Sequence, residues 1–168
     1  MTVSSSPACS DAGTQGRRID VDTYWQAWFD GAALPNPGKI GIGVVLLSPV
    51  GTRSEKSTLS ASSGCNNEAE LQALCAALDM ARAAGATRLV LRGDSDVAIR
   101  YVRGPDGTQI ERLQVLVARA RDRLRRFDDV ELLWIPRHRN ADADRLSRQA
   151  LGLSQIPAGA GKSRRRSR

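Results

Sequence analysis

Residues 25–49, WQAWFDGAALPNPGKIGIGVVLLSP, set an acid, Asp30, at the end of an apolar run, just before a Pro/Gly-rich turn and a second apolar run. A carboxylate in that position costs folding energy unless something pairs with it, so the partner of Asp30 is the first question the chain raises. Around this stretch, residues 24–29, 40–47 and 52–59 read as successive strands, joined by turns at PNPG (35–38) and SPVG (48–51). That order is an antiparallel meander.

Downstream, the hydrophobic period changes. From residue 67 to about 84 it is helical, with Leu71, Leu74, Cys75, Leu78 and Ala81 on neighbouring faces and Gly85 as a stop. RLVLR (88–92) is a short strand ending at Gly93-Asp94, and a short helix follows over 95–103. A longer helix covers about 108–126, with Ile110, Leu113, Leu116, Val117, Ala120 and Leu124 as its stripe. VELLWI (130–135) is a fifth strand, and 141–151 a last helix for which Asn140 is a suitable cap. Hairpin strands followed by helix, strand, helices, strand and helix describe an α/β fold, a mixed sheet with helices on its faces.

The chain has 168 residues, enough for one domain that buries roughly 70% of its unfolded surface. Hydrophobic residues make up 41% and charged residues 26%, and no apolar run approaches the roughly 18 residues of a membrane span, so no membrane partner is expected. MTVSSSPACSDAGTQGRR lacks a basic start followed by an apolar block, so no secretory signal is expected. Cys9, Cys65 and Cys75 fit neither a zinc spacing nor a disulfide framework, which points to a reducing, cytoplasmic setting. The net charge is +7, but KSRRRSR at the end holds five of those charges (Lys162, Arg164, Arg165, Arg166 and Arg168), leaving two for the rest. Residues 1–20 and 153–168 are poor in large apolar groups and are expected to be disordered, flanking one domain over 21–152.

Within that layout the acids sort by position. Asp30 ends the first strand and Asp94 follows the fourth, so both reach one sheet end if those strands are parallel neighbours. Glu68 and Glu70 lie about 200° apart around a helix axis. Glu70 shares the stripe of Leu74, Ala77 and Ala81, whereas Glu68 falls with Gln72 and Asp79 on the polar side. Asp142 and Asp144 separate in the same way, and either can face the sheet by periodicity alone. Clustered carboxylates raise one another's pKa values unless a positive charge is present, and hard oxygen ligands select Mg²⁺ or Mn²⁺ over zinc.

FDGAALPNPG, NNEAE, GDS and NADADRLSRQA resemble, in order and spacing, the four signature segments of type 1 ribonucleases H, over residues 25–151. The resemblance implies a five-stranded mixed sheet of order 3-2-1-4-5 and hydrolysis of the RNA strand of RNA/DNA hybrids by two Mg²⁺ ions, with Mn²⁺ as a substitute. It assigns Asp30, Glu70, Asp94 and Asp144 as metal ligands and catalytic acids, which selects Asp144 over Asp142. Asn36, Asn66 and Asn67 match family positions that reach the RNA strand in its minor groove, where 2′-hydroxyls distinguish RNA from DNA.

The chain departs from the best-known bacterial members. It lacks their basic, tryptophan-bearing protrusion, since 104–107 is a short turn. Cys65 stands where many members carry a Thr that grips a DNA phosphate, and a thiol is a weaker donor. His138, the only histidine, lies six residues before Asp144 in a short basic turn. It is read either as a proton shuttle at the site or as a solvent-exposed turn residue, and Arg137 and Arg139 are expected to touch phosphates. The Arg residues of the long helix read as its solvated face, and Trp25, Trp28 and Trp134 as core. A monomeric nuclease is the leading reading. The alternatives are a catalytically weak hybrid-binding domain and a nuclease of the same fold acting on another nucleic acid.

Overall fold

The computed structural model describes residues 23–105 and 107–153. The strands are β1 (Trp25–Leu34), β2 (Gly38–Leu47), β3 (Arg53–Gly64), β4 (Arg88–Gly93) and β5 (Asp129–Trp134). The helices are α1 (Asn66–Ala83), α2 (Asp96–Arg103), α3 (Glu111–Leu124) and α4 (Ala141–Ala150), with a 3₁₀ turn over Arg137–Arg139. The strands form one sheet of order β3-β2-β1-β4-β5, with the β3-β2-β1 portion antiparallel and the β1-β4-β5 portion parallel.

Strand alternation sends Ala27, Phe29 and Ala33 of β1, Ile40, Ile42, Val44 and Leu46 of β2, and Leu89 and Leu91 of β4 to one face. There α1 covers them, with Leu71, Leu74 and Leu78 fully buried. Burying each such side chain contributes roughly 1.5–3 kcal/mol. Its alanines allow a close approach: a Cβ on Gly31 of β1 would lie 2.1 Å from the Ala69 carbonyl oxygen. Leu113, Val117 and Ala120 extend the same core from α3. On the opposite face α4 rests directly on backbone, because Gly41 and Gly43 of β2 present no side chain to it.

The parallel pairing of β1 with β4 is short, running only from Trp25 opposite Leu89 to Trp28 opposite Arg92. Pairing of β1 with β2 continues to Leu34 opposite Lys39. Asp30 therefore lies inside β1 and not at its end as the sequence pattern predicts. It sits where β4 departs, and the gap opened there is the kind of crevice at carboxyl strand ends where open α/β sheets bind ligands.

Other expectations shift for local reasons. β3 extends through the polar SASSG run to Gly64, since an edge strand needs backbone pairing but no apolar alternation. α3 starts only at Glu111, because the Thr108 hydroxyl accepts from the Ile110 N–H and holds a turn there. Arg121 does not lie on a solvated face: its guanidinium donates to the carbonyls of Tyr101, Val102 and Gly104 and closes the end of α2. Trp134 is 52% exposed and not core, with its indole N–H donating to the Asp94 carbonyl. The segments expected to be disordered, 1–20 and 153–168, lie outside the described residues apart from Leu153.

A Cβ at position 43 would lie 2.2 Å from the Ala143 carbonyl oxygen and 2.5 Å from the Ser147 nitrogen. Both neighbours are helix backbone, which yields only if α4 moves. Gly43→Ala is expected to destabilise the fold by roughly 1–3 kcal/mol, measured as a lowered midpoint in denaturant at unchanged slope.

Candidate active site

Asp30, Glu70 and Asp94 each place a carboxylate oxygen so that these oxygens all lie within 4.8 Å of one another. Each arrives from a different element: Asp30 from β1, Glu70 from the first turns of α1, and Asp94 from the residue after β4. Glu70 Oε2 and Asp94 Oδ2 are buried with no hydrogen-bond partner. Two desolvated carboxylate oxygens without donors, beside a third acid only 6% exposed, are costly unless a cation completes them. The donor set is all hard oxygen, with no Cys or His in the group, and fits Mg²⁺ or Mn²⁺.

The electrostatics carry the same signature. Burial, reinforced by Asp94 and Asp144, raises the Asp30 carboxyl from 3.8 to about 6, against the opposing pull of the Ser147 hydrogen bond and the Arg137 charge. Glu70 is pushed well above the ordinary Glu value by burial and by Asp30 and Asp94. Asp94 is also raised by burial, with the Asn140 side chain and Arg137 opposing. The fourth predicted acid, Asp144 on the first turns of α4, stands apart from the three and accepts from Arg137 Nη2 at 2.8 Å. Arg137 is itself 76% exposed at the site's rim, on the 3₁₀ turn.

Neighbouring acids take other work. Glu68 accepts from the Cys65 N–H at 2.8 Å and pairs with Arg112 at 3.3 Å, closing the start of α1. Asp142 pairs with Arg53 of β3 at 2.8 Å and is exposed. Asn140 lacks the side-chain cap bond expected of it. Its Nδ2 donates instead to the Phe29 carbonyl at 2.9 Å, anchoring the start of α4 to β1 one residue before Asp30. Neither this tie nor the Ser147 hydroxyl on Asp30 is legible in sequence, since both join β1 to residues more than a hundred positions away.

Asn36 and Asn66 brace the end of β1 and the turn after it against the start of α1. Asn66 Oδ1 accepts from the Ala33 N–H at 2.9 Å, and Asn36 Oδ1 accepts from the Asn66 N–H at 3.1 Å. Each uses its carbonyl oxygen there, so the group it retains for a ligand is the NH₂ donor. Asn67 is half-buried in the first turn of α1, and Cys65 occupies that helix's N-cap position. His138 is exposed on the 3₁₀ turn, while Arg139 lines a shallow cavity with Trp28, Arg53 and Asp142.

A family model described as Reverse transcriptase-like matches residues 28–150. Ribonuclease HI of Halobacterium salinarum is 38% identical over 125 residues, covering 74% of this chain. The crystal structure of RNase H1 from that halophilic archaeon has a TM-score of 0.73 at 37% identity, covering 77% of this chain and 98% of that one. The chain belongs to the ribonuclease H family. The sheet order and the acid-lined crevice are thus those of a ribonuclease H fold. A bifunctional Mycobacterium tuberculosis protein is 32% identical over 137 residues. The crystal structure of LC11-RNase H1 in complex with RNA/DNA hybrid matches with a TM-score of 0.69 at 29% identity, covering 76% of this chain and 96% of that one. The chain spans 63% of the length of the Halobacterium relative and 36% of the mycobacterial one.

In this ribonuclease H site Asp30, Glu70 and Asp94 all hold a proton more tightly in the folded state than in the unfolded chain. For Asp30 the stability from that source is complete below the ordinary value of 3.8 and is lost as pH rises through about 6, its folded value. With chelator present, lowering the pH from about 7.5 to about 5 should therefore stabilise the protein by roughly 1 kcal/mol through Asp30 alone. Thermal melts of the wild type and Asp30→Asn are the check. The variant should show a smaller gain, and saturating Mg²⁺ should remove most of the wild type's dependence.

Proposed function

We propose that the chain is an endonuclease that hydrolyses the RNA strand of RNA/DNA hybrids, using divalent ions held by Asp30, Glu70, Asp94 and Asp144. Mg²⁺ is the expected ion and Mn²⁺ a substitute. The observation that carries this reading is the convergence of three carboxylates, Asp30 buried and Glu70 and Asp94 each with a buried, unpartnered oxygen, where β4 departs from β1. When bound, such ions polarise a phosphodiester and lower the pKa of water, which makes hydrolysis possible without a covalent enzyme intermediate.

The chain's own residues do the remaining work. The three elements fix the ligand oxygens before any ion arrives, which limits the reorganisation left for the reaction itself. Arg137 pairs with Asp144 and, at the rim, is placed to meet a backbone phosphate. Asn36, Asn66 and Asn67 would offer amide donors for 2′-hydroxyl or minor-groove contacts, with Cys65, His138 and Arg139 as further substrate contacts. The hybrid as substrate is supported by the LC11 relative's complex and by these amides. The activity is assigned to residues 21–152 acting as a monomer, in a cytoplasmic setting that suits the free thiols of Cys65 and Cys75. Among the described residues no helix is long and apolar enough to cross a membrane.

Incubation with labelled hybrid, double-stranded RNA and double-stranded DNA, with Mg²⁺, Mn²⁺ or chelator, tests the reading. Metal-dependent cutting confined to the RNA of the hybrid is expected. Tight binding without cutting identifies a catalytically weak binding domain instead. Asp30→Asn, Glu70→Gln and Asp144→Asn should each lower kcat by about two orders of magnitude or more. Glu68→Gln and Asp142→Asn, which break one ion pair with a largely buried acid and one exposed pair, should stay within about threefold of wild type.

Cys65→Thr is expected to lower KM for hybrid at unchanged kcat, the pattern of added uniform binding, because a hydroxyl donates to a phosphate better than a thiol. Steady-state kinetics against hybrid length and concentration read the split.

A further inference from the structure

Ser147 is a serine in the middle of α4 with no solvent exposure. It reaches the site because α4 and β2 touch backbone to backbone. A Cβ on Gly41 would lie 2.2 Å from the Ser147 carbonyl oxygen, and one on Gly43 would lie 2.5 Å from its nitrogen. That seam lets a side chain as short as serine cross to the neighbouring strand, where its hydroxyl meets Asp30 Oδ2. The same Oγ lies 2.9 Å from the Asp144 carbonyl oxygen. The hydroxyl has one proton to give, and the Asp30 carboxylate is the stronger acceptor of the two, so the Asp144 carbonyl is left as a close neighbour.

A carboxylate turns about its Cβ–Cγ bond with only a broad preference, so an unheld Asp30 presents either oxygen, or both, to whatever binds beside it. Hydrogen-bonding partners that hold a metal-binding carboxylate remove that freedom and commonly matter 10–100-fold for metal affinity or activity. We propose that Ser147 is a positioning residue whose hydroxyl, donating to Asp30 Oδ2, fixes how the Asp30 carboxylate is turned toward the cation. This rests on the metal-dependent reading above. The competing account is that Ser147 merely fits a tight seam. Ser57 of β3 separates the two, because its hydroxyl donates to the Leu146 carbonyl at 2.8 Å and so also bonds α4 to the sheet, without touching an acid.

The test measures Mn²⁺ binding to the full chain by calorimetry in the absence of nucleic acid, alongside kcat and KM for hybrid. Ser147→Ala is expected to weaken Mn²⁺ binding about tenfold and to lower kcat by about ten- to a hundredfold, with KM nearly unchanged. Ser147→Cys, slightly larger and a weak donor, should shift both in the same direction by less, and it carries the test if the alanine variant does not fold. Ser57→Ala should lower thermal stability while leaving Mn²⁺ affinity and kcat at wild-type values. Wild-type Mn²⁺ affinity and kcat in Ser147→Ala would overturn the proposal, as would equal losses in Ser57→Ala, which would mean that any loosening of α4 suffices. A wild-type chain that neither binds Mn²⁺ nor cuts hybrid overturns the functional reading itself, and the proposal with it.

Discussion

Three carboxylates whose oxygens lie within 4.8 Å of one another cannot all be ionised in a desolvated crevice unless positive charge is brought to them. The rest of the molecule is arranged around that constraint. Its core must hold the acids in place against their mutual repulsion, and it is fully packed beside them: Phe29, the residue before Asp30, is fully buried, as are Leu71 and Leu74 just beyond Glu70. Arg137 moderates the field at Asp30, Glu70 and Asp94 but is committed to Asp144. The charge is therefore balanced only in part by the protein.

Holding the acids also demands close contact between layers. Gly31 admits α1 on one face of the sheet, and Gly41 and Gly43 admit α4 on the other, at distances no side chain would permit. Gly93, before Asp94, makes room for the Phe29 ring, which a Cβ there would meet at 2.3 Å. Each acid-bearing segment is thus seated on a glycine contact, so small displacements of a helix pass directly to a carboxylate. Interiors this dense do not deform gradually, which keeps the acids at fixed separations.

The sequence showed the meander clearly, because PNPG and SPVG punctuate runs of opposite period from the helices that follow. It was less informative wherever structure depends on a distant partner. By sequence pattern the first strand stops at Phe29, since DGAAL has little intrinsic β preference, yet pairing with β2 carries β1 to Leu34. The SASSG end of β3 looked like loop for the same reason. The four acids were visible as motif positions, and helix geometry separated Glu70 from Glu68, but periodicity left Asp142 and Asp144 open. Their separation is spatial: Asp142 is drawn to Arg53 of the neighbouring strand and Asp144 to Arg137. Ser147 gave no signal at all, because a serine among Arg, Asp and Gln reads as a solvated helix face until the glycines opposite are known.

β3 is one outer edge of the sheet, and its first half reads Arg53, Ser54, Glu55, Lys56, all exposed. An incoming strand would find backbone groups free to pair, but it would have to desolvate a row of alternating charges, two of which are already engaged with α4 through Asp142 and Arg145. The edge is therefore protected against strand addition and the aggregation that follows from it, without a proline or a covering helix. A protein that exposes long unpaired β-structure while folding gains from this, since the same charges that anchor α4 also make edge-to-edge self-association unfavourable.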